Sequence, residues 1–304
     1  MAQPGLAATE LGDREMTPFQ RSRALRWLCT LAAVAALVVI LFPVYAILVG
    51  SFESTETLFS GKFYWLPHAA TLDNYRTVLG AASQSTQETV TGAQSGNVLT
   101  SLIVGLGTAA LALVIAVPAA YALSKYRLRV TIVFVSALLV AQIVPSIVLA
   151  TSLFVFFHWI HLVNSYPGLI IADGTYAIPF AILVLRAFFF SLPNDLMYAA
   201  RVDGASEWQT FRLIVIPLAR SAVITVAVFA FLAGWGDFIF ALTILNGAGI
   251  EPITLGIYNY LGNYSTDWGA VMAAAVFAMV PAALLLVMAQ RYIASGLTAG
   301  SVKG

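Results

Sequence analysis

Six apolar runs, too long to be the helices of a soluble core, constrain this chain more than any other feature. They lie at about 27–50, 98–122, 132–157, 168–190, 213–235 and 268–290. Each supplies roughly 20 mostly apolar residues, the length an α-helix needs to cross about 30 Å of hydrocarbon. Composition agrees: 60% of the residues are hydrophobic and 10% are charged, against roughly 25% charged in a soluble domain. The expectation is an all-α membrane protein with six transmembrane helices, and an ordinary soluble enzyme is excluded. Asp173, Gly174 and Pro179 interrupt the fourth run, and Pro217 and Arg220 sit near the start of the fifth. Intramembrane Pro and Gly are tolerated where neighbouring helices cover the backbone. Arg21, Arg23 and Arg26 precede the first run as in a signal peptide. The run is too long for a secretory apolar region, though, and lacks a clear small-residue cleavage site, so it reads as a retained helix.

Orientation follows from the basic residues. Of the 15 Lys and Arg residues, only Lys62 and Arg76 fall on the face opposite the N-terminus. That asymmetry sets both termini in the cytoplasm, N-in and C-in. The expected organisation is a tail at 1–26, polar and disordered through residue 20, a transmembrane domain at 27–291, and a second cytoplasmic tail at 292–304. The largest outer loop, 51–97, ends in a polar run from residue 81 that reads as flexible, and no loop is long enough to be a catalytic domain. Cys29 is the single cysteine, so no intramolecular disulfide or cysteine cluster can form. Nucleic acid is not indicated.

The connection between runs four and five is the most informative segment. Pro193 suits the first position of a helix, with Asn194 and Asp195 in its first turn. The helix should end at Asp203-Gly204, because Gly most cheaply adopts the left-handed conformation that closes a helix. Ser206 with Gln209 is a capping box for a second helix running toward Pro217. This is a cytoplasmic helix–turn–helix with small residues, Ala199, Ala200, Gly204 and Ala205, around its turn. Such a turn lets another backbone approach, or is simply a capped connector.

The order Ala199-Ala200-x3-Gly204-x9-Ile214-x-Ile216-Pro217 resembles the "EAA" loop of binding-protein-dependent ABC import permeases. Other segments are similar to the maltose-type carbohydrate branch: Thr71-Leu-Asp-Asn-Tyr75, Ala119-Ala-Tyr-Ala-Leu123, Arg186-Ala-Phe-Phe189 and the C-terminal Gly296–Gly304 stretch. The resemblance implies that the loop seats in a cytoplasmic ATPase subunit and transmits its ATP-driven closure, with Ala199, Ala200, Asp203, Gly204, Ala205 and Pro217 as coupling residues. It also implies two ATPase subunits carrying ATP and Mg, a second, non-identical permease, and an extracytoplasmic solute-binding protein delivering a carbohydrate, all at a bacterial or archaeal cytoplasmic membrane. The chain lacks a Gly-x4-Gly-Lys-Ser/Thr phosphate cradle, so no cofactor is expected on it and it is not expected to be an enzyme. Two positions depart from the pattern. Tyr198 replaces the motif Glu, removing a carboxylate that would face a partner, and Ile216 replaces Leu.

Charges at membrane depth are functional candidates by default. Asp173 and Asp237, toward the outer ends of runs four and five, line a translocation pathway, cap a helix or face interfacial water. Arg186 and Arg220 are expected to snorkel to headgroups. His158 and His161 have a spacing compatible with a shared metal but lack a completing ligand, which favours packing beside Trp159. The turn containing Asn246, Gly247, Gly249 and Glu251 resembles in position the loop that maltose-type permeases extend toward the binding protein. Ala112, Ala116 and Ala120, with Ala270 and Ala274, mark close helix contacts. A gradient-driven secondary transporter is the main rival. It is disfavoured because the runs show no clear repeat and few ionisable residues at depth. An ABC importer for a polyol or glycerol phosphate is an alternative within the same class, and a membrane-embedded enzyme lacks any His/Asp/Glu or Ser/His constellation.

Overall fold

The computed structural model describes residues 23–60, 64–68, 70–79, 94–126, 129–246, 249–261 and 266–298. The tail through residue 20, most of the polar run beginning at residue 81, and Gly247 lie outside them. Helix α1 (Arg23–Gly50) is followed by the short α2 (Thr55–Leu58) and α3 (Asp73–Val78). Then come α4 (Gln94–Lys125), α5 (Thr131–Ala141), α6 (Ser146–Trp159) and α7 (Tyr166–Ser191). The chain continues through α8 (Asp195–Val202), α9 (Glu207–Thr210), a π-helical turn (Phe211–Val215), α10 (Ile216–Leu218) and α11 (Arg220–Trp235). It closes with α12 (Ile239–Ile244), α13 (Ile253–Tyr258) and α14 (Trp268–Thr298).

Among the described residues, four helices are long and apolar enough to cross a membrane unaided: α1, α4, α7 and α14. Two expected spans are broken instead. The run at 132–157 bends by 101° between α5 and α6. Pro145 is the cause, since it excludes Val144 from helical backbone and opens a new helix after itself. Gln142 Nε2 donates to the Tyr176 carbonyl of α7 at 3.0 Å and fastens the bend to the bundle. The run at 213–235 bends by 76° at Ala219. Pro217 offers no N–H to Leu213, and the chain widens into the π-helical turn just before it. Conversely, α7 runs unbroken through Asp173, Gly174 and Pro179.

Helices α4, α7 and α11 form the centre of the bundle. At one end Ala116, Ala120 and Tyr121 of α4 pack with Leu185 and Phe189 of α7, Phe211 and Val215 of the π-helical turn, and Val226 of α11. This core runs without interruption into the 192–218 loop. At the far end Val104, Phe157, Leu169, Ala172, Phe240 and Ile244 join α4, α6, α7 and α12. The alanines expected at close contacts, Ala112, Ala116, Ala120, Ala270 and Ala274, are all fully buried. Helix α1 instead presents its apolar surface outward, and no residue from Leu25 to Val49 is buried.

The Thr71–Tyr75 segment staples the far end together. Buried Asn74 donates through Nδ2 to the carbonyls of Ser51 and Glu53 at 2.9 and 2.7 Å. The Tyr75 hydroxyl lies 2.7 Å from Ser51 Oγ. Gly269, the second residue of α14, lies directly against this amide, and a Cβ there would lie 2.5 Å from Asn74 Oδ1.

Candidate functional site

The 192–218 loop adopts the expected helix–turn–helix, with one shift of boundary. Asn194 stands at the N-cap position without a side-chain capping bond and α8 begins at Asp195, so Pro193 precedes the helix rather than opening it. The turn is a Schellman closure: Ala205 N–H donates to the Ala200 carbonyl at 2.9 Å and Gly204 N–H to that of Arg201 at 3.0 Å. Gly204 has φ +81°, and the space where its Cβ would stand is open. Ser206 caps α9 in a complete capping box with Gln209.

Ala199, Asp203, Gly204 and Pro217 are exposed, Ala205 is half-buried, and Ala200 is buried against the bundle. The exposed face also carries Tyr198, Val202 and Trp208, which are 58%, 87% and 65% accessible. Solvent-facing side chains of this size are thus gathered on one short loop. The sequence reading stopped at the small residues and passed over Val202 and Trp208.

A polar clamp holds the loop to the C-terminal end of α4. Lys125 Nζ donates to the Leu192 carbonyl at 2.7 Å and to Asn194 Oδ1 at 3.0 Å. The Tyr126 hydroxyl donates to Glu207 Oε2 at 3.2 Å, and Arg201 pairs with Glu207 Oε1 at 2.5 Å. These groups line a cleft of about 190 Å³ with Tyr121, Met197 and Tyr198. Burial pushes the Tyr126 hydroxyl above its ordinary range, and its bond to Glu207 pushes the same way. Sequence reasoning gave Lys125 only a role in topology, and Tyr126 none. The signal was their position at the end of a span, on the same expected side as the loop. Arg186, expected only to snorkel, donates through Nε to the Leu123 carbonyl at 3.4 Å.

Asp173 and Asp237 both lie toward the far end, next in sequence or nearly so to Ala172 and Phe240 of its core. Asp173 is 2% accessible, within electrostatic reach of Asp237 and beside Thr108 of α4. Neither Asp173 Oδ2 nor Thr108 Oγ1 has a hydrogen-bond partner. Asp237 caps α12, accepting from Phe240 N–H at 3.2 Å and Ala241 N–H at 2.8 Å. Gly234 of α11 closes the seam, since a Cβ there would lie 2.8 Å from Thr108 Oγ1 and 3.1 Å from Gly105 Cα.

The expected partner-facing turn is anchored at both ends. Asn246 N–H donates to Asn164 Oδ1 at 2.5 Å. Glu251 accepts from Asn259 Nδ2 at 2.5 Å and Asn97 Nδ2 at 3.5 Å. Gly249 sits between them at φ +72° with open space around it. His158 lies near the end of α6, its ring 6.2 Å from that of Phe154, and His161 follows in left-handed backbone at φ +58°. Among the described residues, no three His, Cys, Asp or Glu side chains gather where they would hold a metal.

The family described as binding-protein-dependent transport system inner membrane component matches residues 112–299. The chain belongs to this family. It is an inner-membrane permease subunit of an ABC importer. Among its relatives, the sulfoquinovosyl glycerol transport system permease protein of Agrobacterium fabrum is 32% identical, over 95% of this chain and 97% of that one. The trehalose transport system permease protein of Mycobacterium tuberculosis is 33% identical, over 87% and 93%. In fold, the permease resembles a chain of a bacterial ABC transporter involved in import of the acidic polysaccharide alginate. That match has a TM-score of 0.73 at 22% identity, covering 91% of this chain and all of that one. A chain of the MetNI methionine ABC transporter matches with a TM-score of 0.54 at 17% identity, covering 66% and 94%.

Proposed function

We propose that this permease carries a carbohydrate, handed over by an extracytoplasmic solute-binding protein, through a pathway it forms with a second, non-identical permease subunit. Two ATPase subunits, which bind ATP and Mg, would drive the cycle from the cytoplasm. Relatives named for trehalose, diacetylchitobiose and sulfoquinovosyl glycerol support a glycoside as cargo. A polyol or glycerol phosphate is the alternative solute. Family membership favours this reading over a gradient-driven carrier.

The topology we infer has six spans, with α5 and α6 acting as one bent span and α11 continuing the loop's second helix across its bend. Both termini are then cytoplasmic, and the 192–218 loop faces the ATPases. The observation that carries the coupling role is the unbroken core from α4 and α7 into Phe211 and Val215. A push on the exposed face of Ala199, Asp203, Gly204, Ala205 and Pro217 would move the spans rather than bend a linker, because close-packed interiors transmit strain. Asp173 and Asp237 are assigned to the outer part of the pathway. Asn246, Gly247, Gly249 and Glu251 are assigned to the binding-protein contact.

The test is to purify the tagged permease from native membranes in mild detergent and identify stoichiometric companions by mass spectrometry. A Walker-motif ATPase and a second permease are expected. A chain recovered alone that transports after reconstitution without ATP would contradict the proposal.

A further inference from the structure

Where α1 leaves the bundle at its far end, the backbone turns through Ser51–Glu53 into α2. Glu53 is 3% accessible there. Its Oε1 accepts from His68 N–H at 2.6 Å, whereas its Oε2 has no hydrogen-bond partner. A buried carboxylate left half-satisfied is costly, and such a group calls for a cation or a donor. Glu53 lines a half-open cavity of about 110 Å³ together with Ala46, Val49, Thr57, Leu58 and Tyr64.

The lining decides what kind of cation fits. The cavity is well below the roughly 300 Å³ from which small-molecule sites begin, so a sugar is excluded. A bare metal ion needs several hard oxygen ligands, and no cluster of three acidic, His or Cys side chains occurs among the described residues. One carboxylate oxygen, a threonine hydroxyl, an aromatic ring and apolar walls suit a different group. An alkylammonium brings three donors and no acceptor, lays its methylene stem along apolar surface, and is attracted by an aromatic face. The Tyr64 ring is held in place by stacking on His68, with centroids 4.7 Å apart and planes at 9°.

We propose that the Glu53 cavity is a receptor for one lysine side chain of the extracytoplasmic solute-binding protein, an anchor point distinct from the 246–251 turn. This rests on the reading that such a protein docks at the far end of the bundle. The carboxylate is desolvated in advance by the fold, so the incoming ammonium meets an acceptor without having to dry it.

The experiment uses the assembled importer in lipid nanodiscs and measures its affinity for the substrate-loaded binding protein. Glu53→Gln should weaken binding at least about tenfold, as expected when one partner of a buried charge pair is lost. One lysine→methionine variant of the binding protein should give the same loss, and combining the two should add nothing further. Lys62→Met should bind as wild type does. Unchanged affinity of Glu53→Gln would overturn the proposal. So would losses that add for every lysine tried, or a Lys62→Met variant that reproduces the defect, which would make the chain's own Lys62 the occupant. Should Glu53→Gln fail to assemble, the lysine→methionine series against wild-type importer decides, and the proposal falls if no member weakens binding at least about tenfold. A wild-type complex that assembles with its ATPases but binds no solute-binding protein would contradict the importer reading itself.

Discussion

The Tyr126 hydroxyl donates to Glu207 Oε2 at 3.2 Å across 81 positions of sequence, joining the end of α4 to the second helix of the 192–218 loop. Arg201 on the first helix completes the bridge from the other carboxylate oxygen. The two loop helices and the longest central span are thus held by one carboxylate.

Removing that carboxylate should loosen the loop without unfolding the bundle. Glu207→Gln and Tyr126→Phe are each expected to cost about 1 kcal/mol locally, since the hydrogen bond and a half-exposed ion pair are individually modest. Amide hydrogen exchange should show α8 and α9 deprotected about fivefold while α7 is unchanged. The Tyr126 hydroxyl titrates above its ordinary range. Its contribution is therefore intact below about pH 10 and lost as pH rises through the folded value. Exchange protection of α9, after correction for intrinsic rates, should be flat from pH 6 to 9 in wild type. A Tyr126-dependent decline within that window would count against the assignment.

Gly204 separates backbone need from docking space. Its φ of +81° disfavours an L side chain, while the space around it is open within the chain. Gly204→Asn, which tolerates left-handed backbone, should fold with a penalty under about 1 kcal/mol, and Gly204→Ala with about 1–2 kcal/mol. Gly204→Trp should reach the membrane normally and yet lose uptake. Normal transport by a well-expressed Gly204→Trp variant would show that nothing seats against the turn.

Gly234 makes the opposite case, since its constraint is internal. Gly234→Ala places a Cβ 3.1 Å from the Gly105 backbone and 2.8 Å from Thr108 Oγ1. Forcing α4 and α11 apart should cost about 1–3 kcal/mol and lower the melting temperature by several degrees. Adding Thr108→Ala should recover part of that loss. An unchanged melting temperature for the single variant would mean that the seam is looser than drawn.

Asp173 is expected to trade stability for function. Its carboxylate is buried with Oδ2 unpartnered, and replacing an unpaired buried acid by a neutral isostere relieves a desolvation cost. Asp173→Asn should therefore melt no lower than wild type while uptake falls at least about tenfold. Full uptake with raised stability would remove Asp173 from the translocation pathway.

Local chemistry made the loop legible. A positive-φ glycine, a capping box and a run of small residues are short-range signals, and the Schellman turn at Gly204 and the cap at Ser206 stand where those signals place them. Apolar length likewise located α1, α4, α7 and α14. It did not show the bends around Val144 and Ala219, because hydropathy is blind to a backbone broken by proline. Pro145 and Pro217 redirect the chain, while Pro179, inside the tightly packed α7, does not. Pro43, inside the exposed helix α1, leaves its helix unbroken as well, so a proline in the sequence does not by itself tell a bend from a continuous span. The clamp of Lys125 and Tyr126 on the loop joins residues far apart in sequence that look ordinary in their own neighbourhoods, and although Asp173 and Asp237 stand out singly, their electrostatic proximity does not show in the sequence.

The central claim is that the exposed turn of the 192–218 loop seats in an ATPase subunit. Cross-linking in native membranes tests it most directly, using Ala199→Cys in a Cys29→Ser background with a short bifunctional thiol reagent. The account predicts one adduct with the ATPase subunit, its yield changing with ATP, and none from Gly249→Cys at the far end. No ATPase adduct from Ala199→Cys in a complex that still transports, or an equal adduct from Gly249→Cys, would contradict it.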